Sequence, residues 1–148
     1  MEDKKETAKQ VFQNGFNCAQ AVLVSFSSEL GIDRETALRI SSGFGAGMGR
    51  LQNTCGAVAG AYMVIGYLHG KFKEDDYESR EKAYSLIRSF ARDFNRIHRS
   101  DNCSILLDCD LNTEEGAAEF KEKNYHETRC LKYVQDAVQL LEEKYIKC

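Results

Sequence analysis

The chain of 148 residues contains no proline, and this absence limits the folds open to it more than any other feature. Proline is the strongest helix breaker, so a chain without it must end its helices with glycines and capping residues. Apolar residues recur at helical spacing, for example from Phe12 to Phe26 and from Tyr84 to Ile97, and no stretch alternates as a strand does. We therefore expect an all-α fold, a bundle of about six to eight helices, in a single domain spanning residues 1–148.

Periodicity and capping residues place the expected helices along the chain. They fall at residues 4–14, 18–30, 34–42, 55–68, 75–98, 101–107, 114–121 and 127–145. Glycines stand where C-terminal caps are expected, at Gly15, Gly31 and Gly70. Side chains that accept hydrogen bonds from first-turn amides stand at five expected starts: Asn17, Asp33, Thr54, Ser100 and Thr113.

Charge and hydropathy exclude several classes of protein. With 20 Lys and Arg against 23 Asp and Glu, the formal net charge is −3, which predicts no nucleic-acid partner. The start of the chain lacks the apolar core of a signal peptide, and the longest apolar stretch, residues 56–68, is shorter than the roughly 20 residues of a membrane span. We expect a soluble, cytoplasmic protein without a membrane span. Thiols are kept reduced in that compartment, so six cysteines favour metal binding or redox chemistry over structural disulfides.

The least regular stretch, residues 41–53, contains four glycines close together: Gly43, Gly45, Gly47 and Gly49. One interpretation is a tightly turning connection that needs positive φ angles. The other is a loop that brings backbone close to a cofactor or to Cys55, which makes Gly45, Gly47, Gly49 and Gly56 candidate cofactor-binding residues.

The helix that follows this loop carries small residues four apart: Gly56, Ala57, Gly60 and Ala61. Such rows let a neighbouring helix approach closely, so we expect this helix to be central and buried. The alternative is that the same smooth face forms a homodimer interface.

The six cysteines are Cys18, Cys55, Cys103, Cys109, Cys130 and Cys148, and no two are spaced as Cys-x-x-Cys. Three of them, Cys18, Cys55 and Cys103, fall in expected first turns, where free amides and the helix dipole favour the thiolate. Cations are near in sequence, including Arg129 beside Cys130. The alternative is that these cysteines are small buried hydrophobic residues.

Four segments of the chain carry a more specific pattern. They are Gly-Phe-Asn-Cys-Ala-Gln-Ala-Val at residues 15–22, Cys-Gly-Ala-x-x-Gly from Cys55, Cys-x-x-Leu-Leu from Cys103, and Cys130 followed by Tyr133 and Val134. Together with the glycine-rich stretch, these segments resemble the family named for its C, GCAxxG, C, C cysteine pattern and described as redox-active. The resemblance covers nearly the whole chain.

The resemblance implies that Cys18, Cys55, Cys103 and Cys130 are the shared site residues and that Cys109 and Cys148 are extras. The family is similar to a domain of certain multihaem cytochromes in which an iron–sulfur site has been proposed, and selenocysteine forms of it are described. No Cys-x-x-Cys-His motif occurs in this chain, so haem attachment is not implied.

Two redox hypotheses follow, and both require an electron donor or acceptor as partner. In the first, the four cysteines converge in one pocket and hold an iron–sulfur cluster or another metal for electron transfer. In the second, a low-pKa Cys55 attacks sulfur or selenium, a second cysteine resolves the intermediate, and His98 or Arg99 is the charge partner.

A third hypothesis is a non-catalytic helical binding module whose cysteines only pack. It leaves the placement of cysteines at helix starts unexplained. We expect His69 and His126 to be solvated residues at helix ends rather than ligands.

Overall fold

The computed structural model describes residues 3–147 and confirms the all-α fold, since no strand occurs among these residues. The helices are α1 (Lys4–Gln13), α2 (Cys18–Ser25), α3 (Ser27–Leu30), α4 (Arg34–Ser41), α5 (Gly45–Met48), α6 (Gly56–His69), α7 (Tyr77–His98), α8 (Cys103–Leu107), α9 (Glu114–Glu122) and α10 (Leu131–Leu140). A 3₁₀ turn covers Ser42–Phe44, and π-helical segments cover His126–Cys130 and Leu141–Tyr145. Cys148 lies outside the described residues.

Helix α6 is the central helix, as its small residues predicted. It packs against α2, α7 and α10, and Val58, Val64 and Ile65 are fully buried. The approach of α2 is close, because a Cβ atom added at Gly60 would lie 2.8 Å from the carbonyl oxygen of Ala19. Glycine is therefore required where α6 crosses α2.

The expected helix over residues 18–30 divides at Phe26. The hydroxyl of Ser25 donates to the carbonyl of Val22 at 2.7 Å, and that of Ser27 donates to the carbonyl of Val24 at 2.8 Å. Such bonds compete with the helical ladder and bend the chain. Phe26 has φ −108° at this break and buries its ring completely. Helix α2 therefore ends at Ser25 and α3 begins at Ser27.

The glycine-rich stretch forms a 3₁₀ turn, the short helix α5 and a series of left-handed residues. Ala46 and Gly47 inside α5 have left-handed φ angles of 53° and 67°, and Gly49 follows with 59°. Met48, Arg50 and Gln52 also have positive φ. The expectation of a turn with positive φ is confirmed, although four of these six positions are not glycines.

The last expected helix is not regular. Its first five residues, His126–Cys130, form a π-helical turn, which is wider than an α-turn and is frequent at functional sites. His126 and Cys130 are four residues apart, a spacing that puts side chains on the same face of a helix, and both line one cavity.

No helix among residues 3–147 combines the length and the apolar character needed to cross a bilayer.

Candidate functional site

Four cysteines from four separate segments line one cavity of about 280 Å³. They are Cys18, Cys55, Cys103 and Cys130, the same four that the sequence pattern singled out. The rest of the wall is mostly apolar, and no Lys, Arg, Asp or Glu belongs to it. The structure thus brings these thiols together in a cavity whose wall contains no Lys, Arg, Asp or Glu.

Cys18 is held in place by the cap of α2. The side chain of Asn17 accepts from the amide of Gln20 at 2.9 Å, and the Gln20 side chain accepts from the amide of Asn17 at 2.9 Å. Asn17 Nδ2 also donates to the carbonyl of Ser42 at 2.9 Å. This reciprocal capping box fixes the first turn of α2 and with it the position of the Cys18 sulfur.

Cys55 and Cys103 lie on two segments that run side by side. The amide of Cys55 donates to the carbonyl of Asp101 at 2.7 Å, and the amide of Cys103 donates to the carbonyl of Asn53 at 2.6 Å. A single antiparallel bridge pairs Thr54 with Asn102 between them. Residues 48 apart in sequence are therefore fixed next to each other by backbone bonds.

Cys130 comes from the π-helical turn, and the arginine that precedes it is anchored. The Arg129 guanidinium lies 3.8 Å from the centroid of the Tyr125 ring and donates to the carbonyl of Leu107. The positive charge of Arg129 lowers the pKa values of Cys130 and Cys109, but burial outweighs this effect at both.

Of the four candidate glycines, Gly47 and Gly56 line the cavity and Gly45 and Gly49 do not. A Cβ added at Gly47 would lie 2.7 Å from Cys103 Cβ, and one added at Gly56 would overlap Cys18 Sγ. Gly45 instead makes room for the Asn17 side chain, to which an added Cβ would come within 2.5 Å. Gly45, Gly47 and Gly56 are thus required by packing on or near the cysteines, whereas at Gly49 only the positive φ favours glycine.

Burial governs the ionisation of the thiols. It raises the pKa of Cys18, and it raises the pKa of Cys103 to about 11. Burial also raises the pKa of Cys55 and Cys130 well above the ordinary range, and the neighbouring Cys18 adds to the effect at both. Amides of Ala57 and Val58 hydrogen-bond to the Cys55 sulfur, but this stabilisation is smaller than the cost of burying the thiolate.

The expectation of a low-pKa Cys55 is therefore wrong for the thiol in this environment. The position at a helix start was predicted correctly, since α6 begins at Gly56 directly after Cys55, but the depth of the site was not visible in the sequence. The expected charge partner His98 is occupied elsewhere, with Nε2 lying 2.8 Å from Asp136 Oδ2. Arg99 is an exposed residue and does not line the cavity.

Two histidines differ in their relation to the cavity. His126 belongs to the wall, and its ring stacks on that of Phe12 with centroids 3.9 Å apart and planes 7° apart. The sequence predicted a solvated His126 at a helix end, and the stacking on Phe12 in the cavity wall was not anticipated. His69 lies apart from the cavity and pairs with the carbonyl of Tyr145 at 2.8 Å.

Gln52 is a residue of the site that the sequence did not reveal. Its side chain is buried, donates to the carbonyl of Cys109 at 2.8 Å and accepts from the amide of Leu111 at 2.8 Å. It also hydrogen-bonds to Cys103, which lowers the pKa of that thiol against the larger effect of burial. Only its place just before Cys55 could have drawn attention to it.

Among residues 3–147, no group of three or more His, Cys, Asp or Glu side chains is placed to hold a metal ion. The five cysteines of this part of the chain are all free thiols: Cys18, Cys55, Cys103, Cys109 and Cys130. Cys109 packs against the same small cluster as Cys130, outside the wall of the cavity.

A model of the family described as "Putative redox-active protein (C_GCAxxG_C_C)" matches residues 16–144. No curated protein and no solved structure matches the chain. The match includes all four cavity cysteines.

Proposed function

The chain belongs to the C_GCAxxG_C_C family, and from that premise we propose that Cys18, Cys55, Cys103 and Cys130 form one redox site that holds an iron–sulfur cluster. The observation that carries this proposal is the convergence of the four thiols on a single uncharged cavity. When bound, such a cluster supplies one-electron transfer.

The donor set fits this group. Four cysteine sulfurs are the usual ligands of an iron–sulfur cluster, and soft thiolates favour iron–sulfur clusters over hard cations. Buried thiols with raised pKa values stay protonated at neutral pH, so they need a bound positive centre to replace the proton. The amides of Ala57 and Val58 remain available to the Cys55 sulfur and would tune the potential of a cluster bound there.

A second candidate function is dithiol–disulfide redox chemistry at Cys18 and Cys55. The favouring observation is that Gly56, the residue after Cys55, packs directly on the Cys18 sulfur, with no room for a Cβ between them. Oxidation would form one sulfur–sulfur bond and release two electrons and two protons to an acceptor. The raised pKa of both thiols makes this candidate the weaker one, since the thiolate is the attacking species.

The test is the iron and acid-labile sulfide content of protein purified without oxygen and then reconstituted with iron and sulfide. We expect visible absorption and bound iron in the unaltered chain, and loss of both in each single Cys→Ser variant of the four cysteines. Cys109→Ser is the matched control and should keep its iron, because Cys109 lies outside the cavity wall. Circular dichroism separates loss of cluster from loss of fold.

Three results would contradict the cluster. A colourless, iron-free protein after reconstitution excludes it, and so does equal iron loss in Cys109→Ser. A Cys18–Cys55 disulfide that forms and is reduced reversibly in metal-free protein would favour the second candidate. Metal-free protein without reversible thiol chemistry would leave the binding module as the remaining explanation.

A further inference from the structure

The wall of the cavity carries aromatic side chains in addition to the four cysteines. Phe12, Phe16, Phe120, His126 and Tyr133 all belong to it. The Tyr133 hydroxyl is already used, because it donates to the carbonyl of Leu106 at 3.1 Å. The polar groups free to meet a ligand are therefore few, while the aromatic surface is large.

The cavity is large enough for a small organic molecule. Its volume is about 280 Å³. An engineered apolar cavity of about 150 Å³ inside a protein already binds benzene. A single aromatic ring therefore fits, with space left beside it.

The wall has an exposed side. Gly15 is exposed, Phe16 and Phe120 are half-buried, and the side chain of His126 is 38% exposed. The stack of His126 on Phe12 already places one planar ring parallel to another at this side. A ligand ring can make the same kind of contact, since aromatic rings prefer stacked or edge-on neighbours.

Charge limits what can enter. Charged groups near the wall lie outside it: the Arg34 guanidinium is 5.8 Å from the centroid of the Phe16 ring. The Glu127 carboxylate has Oε1 3.6 Å from His126 Nδ1, and it also accepts from Gln13 Nε2 at 3.1 Å. Neither Glu127 nor Gln13 lines the cavity. An ionic ligand would lose its hydration without gaining an ion pair, which is costly, whereas an uncharged ring loses little.

We propose that this cavity binds a small, uncharged aromatic molecule beside the four cysteines. This is also the substrate class of the redox site, a step that rests on the proposed function. The binding itself requires only the cavity and its uncharged aromatic wall, so it can be measured without any metal.

The experiment titrates three ligands with the same ring into the reduced, metal-free full chain, followed by two-dimensional NMR. Benzyl alcohol is uncharged, benzoate is an anion and benzylammonium is a cation. We expect saturable binding of benzyl alcohol with shifts at the cavity residues, and at least about tenfold weaker binding of both ions. Equal affinity for the three ligands, or shifts away from the cavity, would overturn the proposal.

Two histidine variants test the location. His126→Ala removes a stacking ring from the wall and should weaken benzyl alcohol binding about three- to tenfold. His69→Ala is the matched control, because His69 is outside the wall, and should leave the affinity unchanged. Unchanged affinity in His126→Ala, or equal weakening in both variants, contradicts the assignment.

Measuring iron content together with ligand binding distinguishes failure of the aromatic-ligand proposal from failure of the cluster proposal. A chain that holds iron and sulfide but shows no preference for the uncharged ligand overturns the inference alone. A chain that prefers benzyl alcohol in the metal-free form but cannot be loaded with iron overturns the cluster alone.

Discussion

Gln52 connects three segments around Cys103 with one buried side chain. Its amide group bonds to the carbonyl of Cys109 and to the amide of Leu111, and it reaches the Cys103 sulfur as well. Its backbone has a φ of +56°, an uncommon conformation for a residue other than glycine. A strained backbone persists only where its surroundings hold it in place. At Gln52 those surroundings are its hydrogen-bond partners around Cys103.

Removing this side chain should destabilise the fold. Gln52→Ala leaves two backbone groups without their partner, and we expect the free energy of unfolding in urea to fall by about 2 kcal/mol. Gln52→Gly loses the same bonds but relieves the strain of positive φ, so it should be less destabilised than the alanine variant. Gln139→Ala, at an exposed glutamine, is the control and should change stability by no more than about 0.5 kcal/mol. If Gln52→Ala behaves like this control, Gln52 does not position Cys103.

At the scale of elements, the first turn of α6 and the loop before it form part of the cavity wall. Two of the three glycines of helix α6, Gly56 and Gly66, have surroundings that differ completely. A Cβ at Gly56 would overlap Cys18 Sγ and lie 2.8 Å from the carbonyl oxygen of Phe44, whereas a Cβ at Gly66 would meet nothing within 4 Å. Alanine at Gly66 therefore tests helix propensity alone, whereas alanine at Gly56 also tests the steric cost of a Cβ at the site.

Gly56→Ala and Gly66→Ala should therefore have opposite effects. Gly66→Ala should raise the free energy of unfolding by up to about 1 kcal/mol, because alanine is the better helix former and has space. Gly56→Ala must displace Cys18 or Phe44 and should lower it by more than about 2 kcal/mol. Urea denaturation of both variants measures the difference. Equal effects of the two substitutions would mean that the contact with Cys18 is not tight.

At the scale of the whole molecule, we expect the free energy of unfolding to decrease at both acid and alkaline pH. Burial alone would raise the pKa of Asp93, but hydrogen bonds from Tyr145 and Lys144 hold it below the ordinary value. Burial likewise opposes ionisation of Asp136, and bonds from His98 and Lys132 again keep its pKa low. These carboxylates join α7, α10 and the C-terminal π-helical segment, so their ionised forms stabilise the packing of the bundle.

The sign of each contribution follows from the direction of the shift. Carboxyl groups with lowered pKa values add stability above their unfolded pKa, and it is lost as the pH falls through the folded value. The buried thiols have raised pKa values, so their contribution is complete below about pH 8.5 and declines as the pH rises. We expect the reduced, metal-free chain to be most stable between about pH 5 and 8.

Urea denaturation from pH 3 to 11 tests this profile. Stability should fall below about pH 4 and again above about pH 8.5. In Cys103→Ala the alkaline loss should be smaller, because the thiol whose pKa is raised to about 11 is gone. An alkaline limb that is identical in Cys103→Ala would contradict a buried, protonated Cys103 thiol.

The sequence by itself determined most of the helices and the identity of the four cysteines. Three of the five expected caps are confirmed because capping is local: Asn17, Asp33 and Thr113 each accept from an amide three residues on. The other two are wrong, since α6 has no side-chain cap and Asn102 rather than Ser100 caps α8. The cysteine set followed from resemblance to a family whose model matches residues 16–144. The hydrophobic pattern did not anticipate the break at Phe26, which depends on hydroxyl bonds of Ser25 and Ser27, or the π-helical turn before Cys130.

Only the tertiary structure decided how the thiols are buried and in which direction their pKa values shift. A helix start favours the thiolate, but desolvation depends on everything that the rest of the chain places around the sulfur, and at Cys55 desolvation is the larger effect. For the same reason Gln52 and His126 could not be assigned from the sequence, since their partners are distant along the chain. The six cysteines of a proline-free helical chain indicated redox chemistry. Folding brought the four shared cysteines to one cavity, where Cys55 and Cys103 are buried and Cys18 and Cys130 are half-buried.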